Sequence, residues 1–330
     1  MKAIKFFAIS AMAAAMITSC STDDELSQSN YPSDNIVRVT AGVNNAKTRA
    51  EGAGTEMKND FSLTIVNKNA PKYTYTDKVF SKKSGDWACS ETLLWQKSDA
   101  LVDIVAFAPA QTGKFNGVYA EGSIQPIAYS VASDQSTSSD NNDLLYYYAK
   151  DFKPGTSLVN KKLSIQFNHA FCMIDINVTL GTEFNKPEVL KESPIVKVTL
   201  GGTKIEANVN VTNAASVVTA SGEAADITTT KGSFTPAENA DKKADPEANA
   251  ISRFSCIAIP QTVGANTFKV SLMTAGKLYE WTSAEPVELK SGYRYTLKLS
   301  MGNDVVLLKG GSISATPWTE ITSDKPLETD

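Results

Sequence analysis

Few residues of this 330-residue chain are able to do covalent or ligand chemistry: four cysteines, Cys20, Cys89, Cys172 and Cys256, and one histidine, His169. A thiol can be a nucleophile, a metal ligand or half of a disulfide, and each role needs its own setting. Cys89, Cys172 and Cys256 stand 83 and 84 residues apart, which fits neither a zinc site nor a disulfide framework. Cys172 and Cys256 also fall inside apolar, strand-like runs, where a free thiol acts as a small hydrophobe; one pair among the three is the alternative in an oxidising compartment. His169 lies in a turn between two such runs, and neither a G-x-S-x-G motif nor a helix with paired ligands accompanies it. Packing or hydrogen bonding is its expected role. The acidic clusters Asp140 to Asp143 and Asp241 to Asp245 lack the spacing of a calcium loop. Tyr146, Tyr147 and Tyr148, on a strand, alternate between faces, so at most two of them could line a sugar site. The expectation is no enzyme, no cofactor and no metal.

Cys20 differs because of what precedes it. Lys2 and Lys5 form a short basic start, Phe6 to Ile17 is an apolar run, and the small residues Thr18 and Ser19 come directly before the cysteine. That pattern is a secretory signal with a cleavage site, too short to span a bilayer. Ile17-Thr18-Ser19-Cys20 resembles the lipobox of bacterial lipoproteins, which implies a diacylglycerol thioether on Cys20 and cleavage before it. Several acyl chains on one residue hold a protein firmly on a membrane. The polar, acidic segment from Ser21 to Ser33 reads as a flexible tether, and Asp23-Asp24-Glu25 resembles the signal that sends some lipoproteins to the cell surface.

Apolar residues make up 42% of the chain, enough for real cores, and about 310 residues remain after Met1 to Ser19, enough for two domains. Losing Lys2 and Lys5 takes the formal charge from −4 to −6, that is −4 − 2. A mildly acidic chain without a basic stripe is not built for nucleic acid.

The elements that must position everything else are strands. Ile36 to Val43 is rich in β-branched residues, and a loop carrying Lys47, Arg49 and Ala50 follows it. Such a loop is where a protease finds accessible backbone. Strand-like runs recur at 61–66, 73–80, 87–95 and 101–108, with Pro109 as a stop and a weak strand at 126–132. Leu163 to Phe167 and Ile174 to Leu180 alternate cleanly and predict two half-buried strands. Glu183 to Pro194 reads as the linker between the two domains. Beyond it, 196–200 and 205–211 predict two strands split by Gly201-Gly202, and Ser221 to Asn249 predicts a long mobile loop. Further strands are expected at 251–259, 268–273, 277–281, 293–299 and 305–308. No helical period of useful length appears, so the class is all-β, as two sandwiches of about seven strands.

With these pieces placed, the chain resembles the fimbrillin family, the lipoprotein subunits of type V pili. The resemblance rests on the lipobox, the strand Val37 to Val43 with Thr48-Arg49-Ala50, and Trp95 with Val105-Ala106-Phe107-Ala108-Pro109. It continues in Asp143-Leu144-Leu145-Tyr146, Phe167-Asn168-His169-Ala170, Gly276-Lys277-Leu278-Tyr279, Ser291-Gly292-Tyr293-Arg294-Tyr295 and Ile313 with Trp318-Thr319-Glu320. It implies two transthyretin-like Greek-key β-sandwiches. It also implies cutting between Arg49 and Ala50, departure of the first strand, and refilling of its groove by another subunit's C-terminal strand, for which Val305 to Leu308 and Ser312 to Trp318 are the candidates. The division expected is 1–19 signal, 20–49 lipidated leader, 50–186 first sandwich and 187–330 second. The expected setting is the surface of the outer membrane and the fimbria. Partners would be other pilus subunits, the membrane through the Cys20 lipid, and host or bacterial surface ligands. A non-polymerising surface adhesin or glycan-binding lipoprotein is the alternative function.

Overall fold

The computed structural model describes residues 30–44, 55–57, 59–111, 119–120, 123–124, 126–137, 142–185, 189–303, 305–308 and 313–318. Strand accounts for 56% of the structure and helix for 4%, as the period-2 alternation requires. The first half builds an eight-stranded sheet. Its order is Thr55–Glu56, Val39–Val43, Leu163–His169, Leu145–Phe152, Val102–Ala108, Phe61–Asn67, Tyr75–Lys83 and Asp86–Cys89. Neighbours are antiparallel except Val39–Val43 beside Leu163–His169, which run parallel. The sheet curls until its ends meet: Val37 N–H donates to Leu93 O at 2.9 Å and Trp95 N–H to Asn35 O at 2.8 Å. Inside lie Phe61, Leu63, Ile65, Ile104, Leu163, Ile165 and Phe167, all fully or almost fully buried.

The second half is a sandwich around its own core. One sheet runs Thr230–Thr235, Ile251–Ala258, Cys172–Leu180, Tyr293–Met301, and the far edge of Tyr293–Met301 carries Val306–Leu308 and Ser314–Pro317 one after the other. The other sheet runs Val218–Thr228, Ile195–Val209, Lys269–Thr274, Leu278–Thr282, with Ile127–Ser130 added beside Ile195–Val209. Strand Val102–Ala108 serves both cores: Ile104 and Ala106 face the first, Val105 and Phe107 the second. On Leu145–Phe152 the tyrosines divide likewise, Tyr147 to the first core and Tyr146 and Tyr148 to the second.

Four features differ from the sequence expectation. Leu163–His169 and Cys172–Leu180 are both alternating strands, but they belong to different sheets, so the chain changes core within two residues, Ala170 and Phe171. Residues 183–194 join two strands of the second core. The stretches expected at 196–200 and 205–211 merge into one 15-residue strand that ends at Val209, Ile195–Val209, because Gly201-Gly202 makes a bulge rather than a turn. The polar stretch at 221–249 is not simply a loop, since Val218–Thr228 and Thr230–Thr235 lie within or across it. These are outer strands whose pairing comes from the backbone, with few buried side chains to announce them in sequence.

Candidate functional site

Cys20, Arg49 and Ala50 lie outside the described residues, as do Gly310-Gly311. The two strands between which Arg49 falls in the chain are described. Val39–Val43 pairs with Leu163–Phe167, residue for residue, and its last two residues pair antiparallel with Thr55–Glu56. Before it, Asp34 bonds Arg38 through both guanidinium nitrogens and accepts from Ile36 N–H, which sets the entry into the strand. After it, Asn44 N–H donates to Phe167 O at 2.7 Å, and its amide donates to Asn168 Oδ1 at 2.8 Å. Val37, Val39 and Val43 are buried while Arg38 and Thr40 face outward. Each buried valine contributes roughly 1.5–3 kcal/mol, against about 0.5–1.5 kcal/mol net for a backbone hydrogen bond. Paired on both edges, the strand draws on its buried side chains and on its backbone pairing to a comparable extent.

The last strand is held differently. Ser314–Pro317 pairs antiparallel with Tyr293–Thr296, and all four of its side chains are exposed. The buried residue is the next one, Trp318, whose N–H donates to Gly292 O at 2.7 Å. Its indole lies flat on the imidazole of His169, ring centroids 3.8 Å apart and planes 14° from parallel. His169 is the last residue of its strand rather than part of a turn, and its Nδ1 is 2.6 Å from Oδ2 of Asp143. Around Asp143, burial first and the carboxylate second push the Tyr129 phenol up to about 12. Burial, then Cys256, then Asp143 raise the Cys172 thiol.

Four segments set apart in the sequence thus converge here. Asp143 comes from the run before the tyrosines, His169 from Phe167-Asn168-His169-Ala170, Gly292 from the turn before Tyr293, and Trp318 from the chain's last described residues. Gly292 sits at φ +71° and ties the group together, donating to Phe171 O at 2.9 Å while accepting from Trp318. Sequence reading found each segment but not their contact. Separations of 26 residues for the His169–Asp143 bond and far more for Trp318 leave no local signal. Cys172 and Cys256 are buried free thiols on adjacent strands, and Cys89 is half-buried. Among the described residues, no group of three or more His, Cys, Asp and Glu side chains is placed to hold a metal ion.

Solved structures share this fold. A protein from Bacteroides ovatus ascribed to cell adhesion superposes with a TM-score of 0.59 at 16% identity, covering 88% of this chain and 99% of its own. Another from Bacteroides uniformis gives 0.57 at 14% identity, covering 87% and 100%. A fimbrial protein from Bacteroides vulgatus gives 0.51 at 14%, covering 86% and 98%. At these identities the likeness is one of fold, and it defines a class of two-core β-sandwich proteins. A search among curated sequences finds no match. The fimbrillin-like family profile matches residues 48–318, and the chain belongs to that family. Membership of that family supports a pilus-related or adhesive role at the cell surface.

Proposed function

We propose that this chain is a structural subunit of a surface fimbria, assembled by strand exchange after proteolysis. In this reading Met1 to Ser19 direct export, Cys20 carries the lipid that holds the precursor on the outer membrane, and cutting between Arg49 and Ala50 detaches the chain from that lipid. The observation that carries the proposal is the seating of Val39–Val43 between Leu163–Phe167 and Thr55–Glu56, directly before the chain that carries Arg49. Its loss would leave Val37, Val39 and Val43 missing from the first core, a groove that another strand must fill. Ser314–Pro317 suits the donor role, since it buries none of its four side chains in its own subunit, and withdrawing it breaks edge pairing and the Trp318 contact but opens no cavity beneath the strand itself. The resemblance in fold to a fimbrial protein agrees with this reading.

The test is Arg49→Ala. The variant should keep its leader and lipid and stay monomeric, and deletion of Ser312 to Asp330 should permit cutting yet stop chain growth. Sheared surface fractions run without full boiling read both outcomes. If Arg49→Ala forms a ladder of multimers like the parent chain, exchange triggered at this position is wrong, and a surface adhesin that never polymerises becomes the better reading.

A further inference from the structure

Three buried side chains meet at the end of the last strand: Trp318 at 6% exposure, His169 at 5% and Asp143 at 8%. They come from three distant parts of the chain, and one of them, Trp318, is the sole buried residue in 313–318. The strand before it contributes backbone pairing to Tyr293–Thr296 and no buried side chain. Half-buried Ile313 packs on the second core at the other end of this segment, and the Ser314 and Thr316 hydroxyls donate to Thr296 O and Arg294 O, so among residues 313–318 the indole of Trp318 is the largest single fastening. The contact is also incomplete in its polar groups, because His169 Nε2 and Asp143 Oδ1 are buried without a hydrogen-bond partner. Burying unsatisfied polar atoms disfavours the seated state, so the grip comes from stacking and apolar burial.

The place of this contact matters as much as its composition. Asn44, at the end of the first strand, bonds the side chain of Asn168, and Trp318, at the end of the last strand, stacks on His169. The ends of the two strands that the exchange reading treats as movable thus rest on consecutive residues of Leu163–His169.

We infer that His169 and Asp143 form a seat for Trp318, and that this seat decides whether the last strand stays on its own sheet or is free for a second copy of the chain. His169 and Asp143 act as positioning residues: Asp143 orients the imidazole through Nδ1, and the imidazole face receives the indole. The freeing of the strand is a property of the single subunit, while its use by a second copy rests on the fimbrial reading proposed above.

Hydrogen exchange on the full-length chain in its monomeric state tests the seat. Trp318→Ala should lower protection of the Tyr293–Thr296 amides facing the last strand by about tenfold or more, with protection across Cys172–Leu180 and Ile251–Ala258 unchanged. His169→Ala should do the same, and Trp318→Phe should restore most of the protection. Unchanged protection at Tyr293–Thr296 in Trp318→Ala overturns the seat. So does loss of protection across the whole sheet, which would make Trp318 a general core residue. Multimers are read separately through Arg49→Ala. A freed strand without multimers in the parent chain counts against the fimbrial reading and leaves the seat standing; multimers with an unmoved strand do the reverse.

Discussion

Val39 lies directly beside Leu163 in a parallel pair, both side chains inside the first core, although more than 120 residues separate them in the chain. A parallel neighbour cannot be supplied by a tight hairpin. The first strand sits between the next strand of the chain, Thr55–Glu56, and one far along it, and its apolar side chains enter a core built mostly by later residues.

Truncating one of those side chains measures what it contributes. Val39→Ala should lower unfolding stability by roughly 1.5–3 kcal/mol, seen as a shift in urea midpoint with the slope unchanged. A loss within experimental error would mean that the strand contributes little to the first core.

Cys20→Ser removes the thiol on which the proposed lipid would be carried. The variant should retain Met1 to Ser19 and take up no labelled fatty acid, and mass spectrometry of the N-terminal peptide reads both. Normal labelling of the variant would show that the anchor lies elsewhere.

The remaining thiols should separate by reactivity. Burial raises Cys172 and Cys256 well above the ordinary thiol range, so neither forms a thiolate near pH 8. A maleimide or iodoacetamide probe should label half-buried Cys89 in the folded protein, and Cys172 and Cys256 only after denaturation. Labelling of Cys256 in the native chain at pH 8 would contradict the burial. Replacing both buried thiols by alanine should cost on the order of 1–2 kcal/mol through small cavities, without loss of export.

Gly202 is predicted to tolerate nothing larger. It sits at φ +85°, and a Cβ there would come 2.1 Å from Thr267 O. Gly202→Ala should destabilise by about 2 kcal/mol or more, with the loss of amide protection largest around the bulge in Ile195–Val209. A variant as stable as the parent would mean that the backbone shifts freely there.

Much of this fold was legible in the sequence because its inner strands carry their own signal. Cys172–Leu180 alternates buried and half-buried residues along its whole length, and the alternation is plain in Ile174-Asp175-Ile176-Asn177-Val178. Val218–Thr228 was hidden because an outer strand held by its backbone needs few apolar residues: Val218 and Ile227 are its only buried ones. Gly201-Gly202 misled because the same glycines that make a turn also make a bulge. Which strands pair is a question of tertiary contact. Nothing near Leu163 in sequence points to Val39, and nothing near His169 points to Trp318.

Strand polarity has a mechanical consequence for a protein that works at a cell surface. Tension entering at the N-terminal side of Val39–Val43 and leaving through the far end of Leu163–His169 pulls a parallel pair from opposite ends, so its hydrogen bonds share the load in shear. Ser314–Pro317 is antiparallel to Tyr293–Thr296, and a pull on the chain beyond Trp318 against the chain that enters at Tyr293 bears on the end where Pro317 meets Tyr293. Those bonds are loaded one after another, as a zipper opens. The folded chain thus resists force where Val39–Val43 is seated and peels where Ser314–Pro317 ends, and Trp318 stands at the point where the peeling would begin.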